Sequence, residues 1–231
     1  MAAEAHKKTT PTTIAVLTGD LVDSTKRKPL ERKKLVESLS AFFDKFEMKS
    51  CNDLQLKAKF ELYRGDSFQV MLDAPVHALL LTLLIRTYLQ GKVTFPSQTS
   101  KNDARIAIGI GKVSNKASTL AESDGEAFLF SGRLLDGMKK LPNRIALKST
   151  RKLLNDEMEI NLVLLEAIIS KWTTAQAEVI YYKLQNYTEV TIAELLKIKQ
   201  PTVNERSKAA SWTAVERLLK RYQALLTAKR V

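Results

Sequence analysis

Two aspartates each follow a glycine where an extended stretch ends: Gly19-Asp20 after the β-rich run at 13–17, and Gly65-Asp66 between two stretches of alternating polarity. If those two stretches pair as a hairpin beside the first strand, both carboxylates reach one edge of a single sheet. A carboxylate pair there suits Mg²⁺ or Mn²⁺, hard cations that take oxygen ligands and leave positions for water or substrate phosphates. Asp20 and Asp66 are therefore the candidate metal ligands. The segment after Asp20 leads into a helix, and its unpaired N–H groups suit a polyphosphate. Leu21, Ser24, Thr25 and Lys26 are the candidate nucleotide-binding residues, with Lys26-Arg27-Lys28 supplying positive charge. Either Gly-Asp pair taken alone also reads as an ordinary turn.

Other chemistries have few residues to work with. Cys51 is the only cysteine, so no intrachain disulfide forms, which suits a reducing compartment. His6 lies in a polar tail and His77 opens an apolar helix. The usual serine and cysteine triads therefore lack a base, and a Cys/His metal site lacks ligands. Across 231 residues, 45% hydrophobic and 27% charged content are ordinary globular values. An excess of 37 basic over 25 acidic residues, net +12, points to a phosphate-bearing partner. The longest apolar run, at 78–85, ends at Arg86 and is far shorter than the ~20 residues of a membrane helix. With no apolar leader at the N-terminus, the expectation is a cytoplasmic protein without a membrane partner.

The elements that must hold these residues follow from periodicity. A polar tail at 1–12, expected to be disordered, precedes the first strand. Pro29 sits where a helix would begin, and Leu35, Leu39, Phe42, Phe43 and Phe46 recur at helical spacing. Alternation at 54–62 and again at 68–72, joined by Arg64-Gly65-Asp66-Ser67, predicts a hairpin. A helix from Pro75, a central strand at 104–113 containing Gly109 and Gly111, a helix near 127–141 and a short strand at 144–147 complete the half. The first six elements have the βαββαβ order of a ferredoxin-like sheet with helices on one face. After Thr150 only helical patterning is left. The expected fold is thus α+β, a ferredoxin-like sheet with helices at 13–150, a linker helix at 151–172 and an all-α unit at 173–231.

Several segments of the sheet half resemble class III nucleotide cyclases. Thr18-Gly19-Asp20-Leu21-Val22-Asp23-Ser24-Thr25 resembles their Asp-Ile-Val-Gly-Ser-Thr segment, and Arg64-Gly65-Asp66-Ser67-Phe68-Gln69-Val70 their hairpin Gly-Asp. Ala104-Arg105-Ile106-Ala107-Ile108-Gly109-Ile110-Gly111 is similar to their Arg-Ile-Gly-Ile-His-Thr-Gly strand, and the segment from Gly125-Glu126-Ala127 to Ser131-Gly132-Arg133-Leu134 to their arginine helix. The resemblance implies Asp20 and Asp66 as metal ligands and, in an active site, Arg133 as the catalytic residue contacting phosphate in the transition state. It departs at two places: the base-reading lysine falls on Leu62 and the asparagine before the arginine on Leu129. Losing one donor aimed at developing charge costs ~10²–10³ in rate. The chain as a whole resembles the SatD family, which joins a cyclase-type sheet with a Gly-Asp-Phe-Gln-like hairpin to a C-terminal helix-turn-helix.

In the C-terminal part, Thr173 is placed to cap a helix at 174–184, a short helix spans 190–196, and Pro201 starts another. Ala193 is small where two helices would cross, and Leu196, Ile198 and Val203 would fill the space between them, which is helix-turn-helix spacing. Residues 191–231 carry nine basic and three acidic side chains, net +6. Lys199, Gln200, Thr202, Asn204, Arg206 and Lys208 are the candidate DNA-binding residues, because Gln and Asn can pair with adenine and Lys or Arg with guanine or phosphate. Lys197 stands where the turn commonly has glycine. The apolar stripe from Trp212 to Leu226 reads as packing rather than base stacking.

The favoured reading is a transcriptional regulator that binds double-stranded DNA through its C-terminal helices and senses a nucleotide, with Mg²⁺ or Mn²⁺, through its sheet. It is expected to be a homodimer, since half-sites pair. The alternatives are a weakly active cyclase or nucleotidyl transferase with a helical accessory unit, and a structural adaptor with a dead cyclase fold and no ligand.

Overall fold

The computed structural model describes residues 13–48, 58–63, 65–95, 101–115, 117, 119–120 and 122–228. The polar tail at 1–12 and Arg64 of the hairpin lie outside them. The first strand, β1 (Thr13–Leu21), is followed by a 3₁₀ turn at Ser24–Lys26 and by α1 (Pro29–Met48). β2 (Ala58–Leu62) and β3 (Ser67–Leu72) form the expected hairpin, and α2 (Ala78–Lys92) leads to the long β4 (Ala104–Asn115). A two-residue β5 (Asp124–Gly125), α3 (Glu126–Met138) and β6 (Ile145–Ser149) follow. The sheet runs β2-β3-β1-β4-β5, antiparallel throughout this path, with β6 parallel to β4. The chain is mixed α+β, and the β2-β3-β1-β4 order is the ferredoxin-like one.

α1 and α2 lie on one face of the sheet, as the order of the first six elements predicts, and α3, which follows them, covers the other face. Alternate residues of β1 separate the two sides. Ala15, Leu17 and Leu21 pack in one large core with Leu39 of α1 and Leu83 of α2, together with Ile106 and Ile108 of β4. Ile14 and Val16 point the other way, towards Met71 and Ala127. Ala107 meets Leu135 and Met138 on that same side. α3 comes this close because β4 has no side chain at Gly109, where an added Cβ would lie 2.1 Å from the carbonyl oxygen of Ala127.

The helical part consists of α4 (Lys152–Ile169), α5 (Thr174–Lys183), α6 (Glu189–Leu196), α7 (Gln200–Ala209) and α8 (Trp212–Thr227). Residues 151–172 hold a helix, as expected, but α4 is no free linker. Leu154, Met158, Leu162 and Leu165 of α4 belong to the same core as the sheet, as do Ala177 and Ile180 of α5 and Val215, Leu219 and Tyr222 of α8. The physical cause is α2, whose residues 78–85 are apolar on every face but for Thr82 and so must be covered on every side. The sheet and α1 cover one side and the C-terminal helices the other. Gly91 lets α5 cross α2 closely, since a Cβ there would stand 2.6 Å from the backbone nitrogen of Glu178. Polar ties lock the arrangement: Trp172 Nε1 donates to the Ala210 carbonyl at 2.9 Å and the Tyr222 hydroxyl to the Pro75 carbonyl at 2.8 Å. Among the described residues no helix is long and apolar enough to cross a membrane.

Candidate functional site

Asp20, next to last in β1, stands opposite Ser67 of β3 and Arg105 of β4, so register alone brings the two Gly-Asp segments together. The backbone N–H of Leu21 donates to the Asp66 carbonyl at 3.2 Å. The two carboxylates have different partners. Arg105 Nη1 donates to both oxygens of Asp20, at 2.9 and 3.1 Å. The Ser24 hydroxyl donates to Asp66, and Arg32 of α1 stands 3.9 Å from its other oxygen. Burial pushes the Asp20 carboxyl above its usual range; Arg105 opposes this and the Asp66 charge adds to it. Oxygen donors of this kind fit a hard cation, although among the described residues no group of three or more His, Cys, Asp or Glu side chains is assembled.

Beside this pair runs a polar chain across the α3 side of the sheet. The Tyr63 hydroxyl donates to Gln69 Oε1 at 3.0 Å, Gln69 Nε2 to Thr18 Oγ1 at 3.2 Å, and the Thr18 hydroxyl to Ser131 Oγ at 2.8 Å. Ser131 then donates to the Phe128 carbonyl within α3. Together with Asp20 and Arg105 these groups form a hydrogen-bonding shelf between β3 and α3.

The expected nucleotide-binding residues divide. Leu21 is buried in the core and contributes backbone only, and Ser24 is buried with its hydroxyl on Asp66. Thr25 is exposed. Lys26 is exposed and pairs with Asp23 at 2.6 Å, which holds the Asp23 carboxyl below its usual range. Arg133 is exposed on α3, one turn after the exposed Leu129, and is absent from the partners of Asp20 and Asp66. Leu62 lies at the end of β2, 37% exposed.

Sequence reasoning missed a second charged group nearby. Arg86 of α2, fully buried, donates to Asp103 through Nε at 2.8 Å and Nη2 at 2.7 Å, and to Glu166 of α4 through Nη1 at 2.6 Å and Nη2 at 3.0 Å. Arg144 and Gln90 also donate to Asp103, at 2.7 and 2.9 Å. Burial alone would raise the Asp103 carboxyl, but Arg86 and then Arg144 outweigh it and hold it below its usual range. The Asp103 carbonyl accepts from Val22 N at 2.9 Å, so the network is tied to the segment after Asp20. The available signal was a charge inside an apolar pattern: Arg86 closes the longest apolar run and Glu166 interrupts an apolar helix.

In the C-terminal part, Thr173 caps α5 reciprocally with Gln176, and Thr188 caps α6. Val179, Ile192, Ala193 and Val203 form one small cluster, with Leu196 and Ile198 packed against it, so the residues chosen by spacing do meet. Lys197 adopts the left-handed conformation, φ 54° and ψ 44°, at the end of α6. α7 buries Val203 and Ser207 and exposes Pro201, Glu205 and Lys208. Lys199 and Gln200 are also exposed; Thr202, Asn204 and Arg206 are half-buried on the flanks. Glu189 of α6 accepts from Gln200 Nε2 at 2.7 Å, from Asn204 Nδ2 at 3.4 Å and from Lys183 at 2.9 Å. The six candidates therefore do not share one open face. The stripe of α8 is core: Val215, Leu219, Tyr222 and Leu225 are buried.

No family model matches the chain, and no curated protein matches it in sequence. Among solved structures, the chain is similar to the active GGEEF domain of a diguanylate cyclase from Vibrio cholerae, at 12% identity and a TM-score of 0.42, over 61% of this chain and 85% of that one. It is also similar to a bacterial light-regulated adenylyl cyclase, at 16% identity and a TM-score of 0.41, over 61% of this chain and 44% of that one.

Proposed function

We propose that the chain is a SatD-like, DNA-binding regulator whose sheet half takes a nucleotide together with a divalent cation. The observation that carries the DNA reading is the closure of α5, α6 and α7 around the Val179, Ile192, Ala193 and Val203 cluster, with Lys199, Gln200 and Lys208 left to solvent. Lys208 and Lys199 would contact phosphates, and Gln200 and Asn204 would read bases once released from Glu189. The full chain should shift duplex DNA near ~50 mM salt, where non-specific attraction is strong. Lys208→Ala should weaken binding to every sequence and reduce the salt slope by about one unit. An absence of binding at low salt would refute the reading.

At the sheet edge Asp20 and Asp66 would hold Mg²⁺ or Mn²⁺, and the ion would supply positive charge to a bound polyphosphate. Lys26, 79% exposed, has further ammonium protons to offer a phosphate while it stays paired with Asp23. A nucleotide with Mn²⁺ should raise the melting temperature of the wild type and leave Asp66→Ala unchanged. A homodimer is part of this reading, to be checked by sedimentation. The second reading, a weakly active cyclase or nucleotidyl transferase, draws on the same pair. Arg133, exposed and not among the bonding partners of either carboxylate, would then act in the site of a partner copy. Conversion of labelled ATP or GTP, lost in Arg133→Ala, would favour it.

A further inference from the structure

A cleft of about 600 Å³ opens between the sheet edge and α4, formed by the segment after β1, Lys101, the loop before β6 and the outer turns of α4. It is the size of a small-molecule site. Its lining includes neither Asp20 nor Asp66.

The charges around it are unequal in what they have left to give. Both oxygens of Glu166 are occupied by Arg86, and one accepts in addition from the Arg144 backbone N–H at 3.3 Å. The Asp23 carboxylate is held by Lys26. On the basic side, Arg144 uses Nη1 on Asp103, and its side chain is 35% exposed. Lys101 donates to the Ser170 carbonyl at 3.1 Å and has two further protons to offer. Asn143, half-buried, stands beside them in the lining. The lining also carries three exposed apolar residues, Pro142, Val163 and Ala167. Val163 is 47% exposed, on the same outer side of α4 as the exposed Ile160 and Leu164.

We propose that this cleft is a binding site for a small phosphomonoester with an apolar or planar body. Arg144 and Lys101 match the dianionic head, since two cations suit a phosphate better than a monoanionic carboxylate. Val163, Ala167 and Pro142 match the body. The bound molecule would touch the segment following Asp20 and α4 at once. The site is independent of the metal-dependent reading of Asp20 and Asp66.

Phenyl phosphate is the probe, titrated calorimetrically into the full chain in the presence of EDTA, with inorganic phosphate and benzoate in parallel. Phenyl phosphate should bind saturably in the micromolar to millimolar range. Inorganic phosphate, lacking the body, and benzoate, lacking the second charge, should each bind at least tenfold more weakly. Val163→Trp, which fills the cleft, and Lys101→Glu should each weaken phenyl phosphate at least tenfold, and Asp66→Ala should leave it unchanged. Should Val163→Trp fail to fold by circular dichroism, Lys101→Glu and Asn143→Ala decide. Absence of saturable binding overturns the proposal. So does binding that the cleft variants leave intact or that Asp66→Ala removes, and so does benzoate binding as tightly as phenyl phosphate.

Discussion

Replacing Arg86 with methionine should be the most damaging single change that leaves the sheet edge untouched. The guanidinium is fully buried between Asp103, 1% exposed, and Glu166, 11% exposed. Its loss leaves Asp103 with Arg144 and Gln90 as side-chain donors, but leaves Glu166 with only the Arg144 backbone N–H. Removing one partner of a buried ion pair costs about 3–5 kcal/mol. The donors remaining on Asp103 place Arg86→Met near the lower end, about 3 kcal/mol, or roughly 6–12 °C in melting temperature for a chain of this size. Urea unfolding should be followed by tryptophan fluorescence, which reports the C-terminal helices through Trp172 and Trp212, and by far-ultraviolet circular dichroism, which reports the whole chain. Both probes should move together, because α4, α5 and α8 share one core with the sheet. Arg86→Met with Glu166→Leu should recover part of the loss, since the stranded carboxylate is then gone. A change below ~1 kcal/mol for the single variant would refute the reasoning, as would a fluorescence transition separate from that of the sheet.

Lys197→Gly should stabilise the chain by about 1 kcal/mol in thermal melts, since a side chain at φ 54° carries a penalty that glycine avoids. Gly109→Ala should cost about 1–3 kcal/mol, because the added methyl meets the Ala127 carbonyl and pushes α3 off the sheet. The pH dependence has two parts of opposite sign. Asp103, held below its usual range, stabilises the fold above the ordinary carboxylate pKa and loses that contribution as pH falls through its folded value. Asp20, raised by burial, contributes stability below the ordinary carboxylate pKa and loses it as pH rises through its folded value. Acid titrations of Asp103→Asn and Asp20→Asn by circular dichroism should therefore depart from the wild type in opposite directions.

Much of the fold was legible in the sequence because the signals were local. Alternation placed β2 and β3, the left-handed turn was marked by its position after Leu196, and Ala193, Ile198 and Val203 met as their spacing required. That the two Gly-Asp segments are neighbours was legible for the same reason, since they stand at strand ends that the topology puts side by side. The partners were not legible. Nothing in the spacing of Asp20 and Arg105, 85 residues apart, announces an ion pair, which exists because antiparallel register sets them opposite each other. Nor does the sequence say that Glu189 holds Gln200 and Asn204, which depends on how α6 crosses α7. The division into two separate units followed from a change in periodicity near Thr150, and periodicity reports which faces are apolar, not what they meet. Tertiary structure decided that α2 is shared by the sheet and the C-terminal helices, because the apolar run at 78–85 wraps the whole helix and every face of it must leave water.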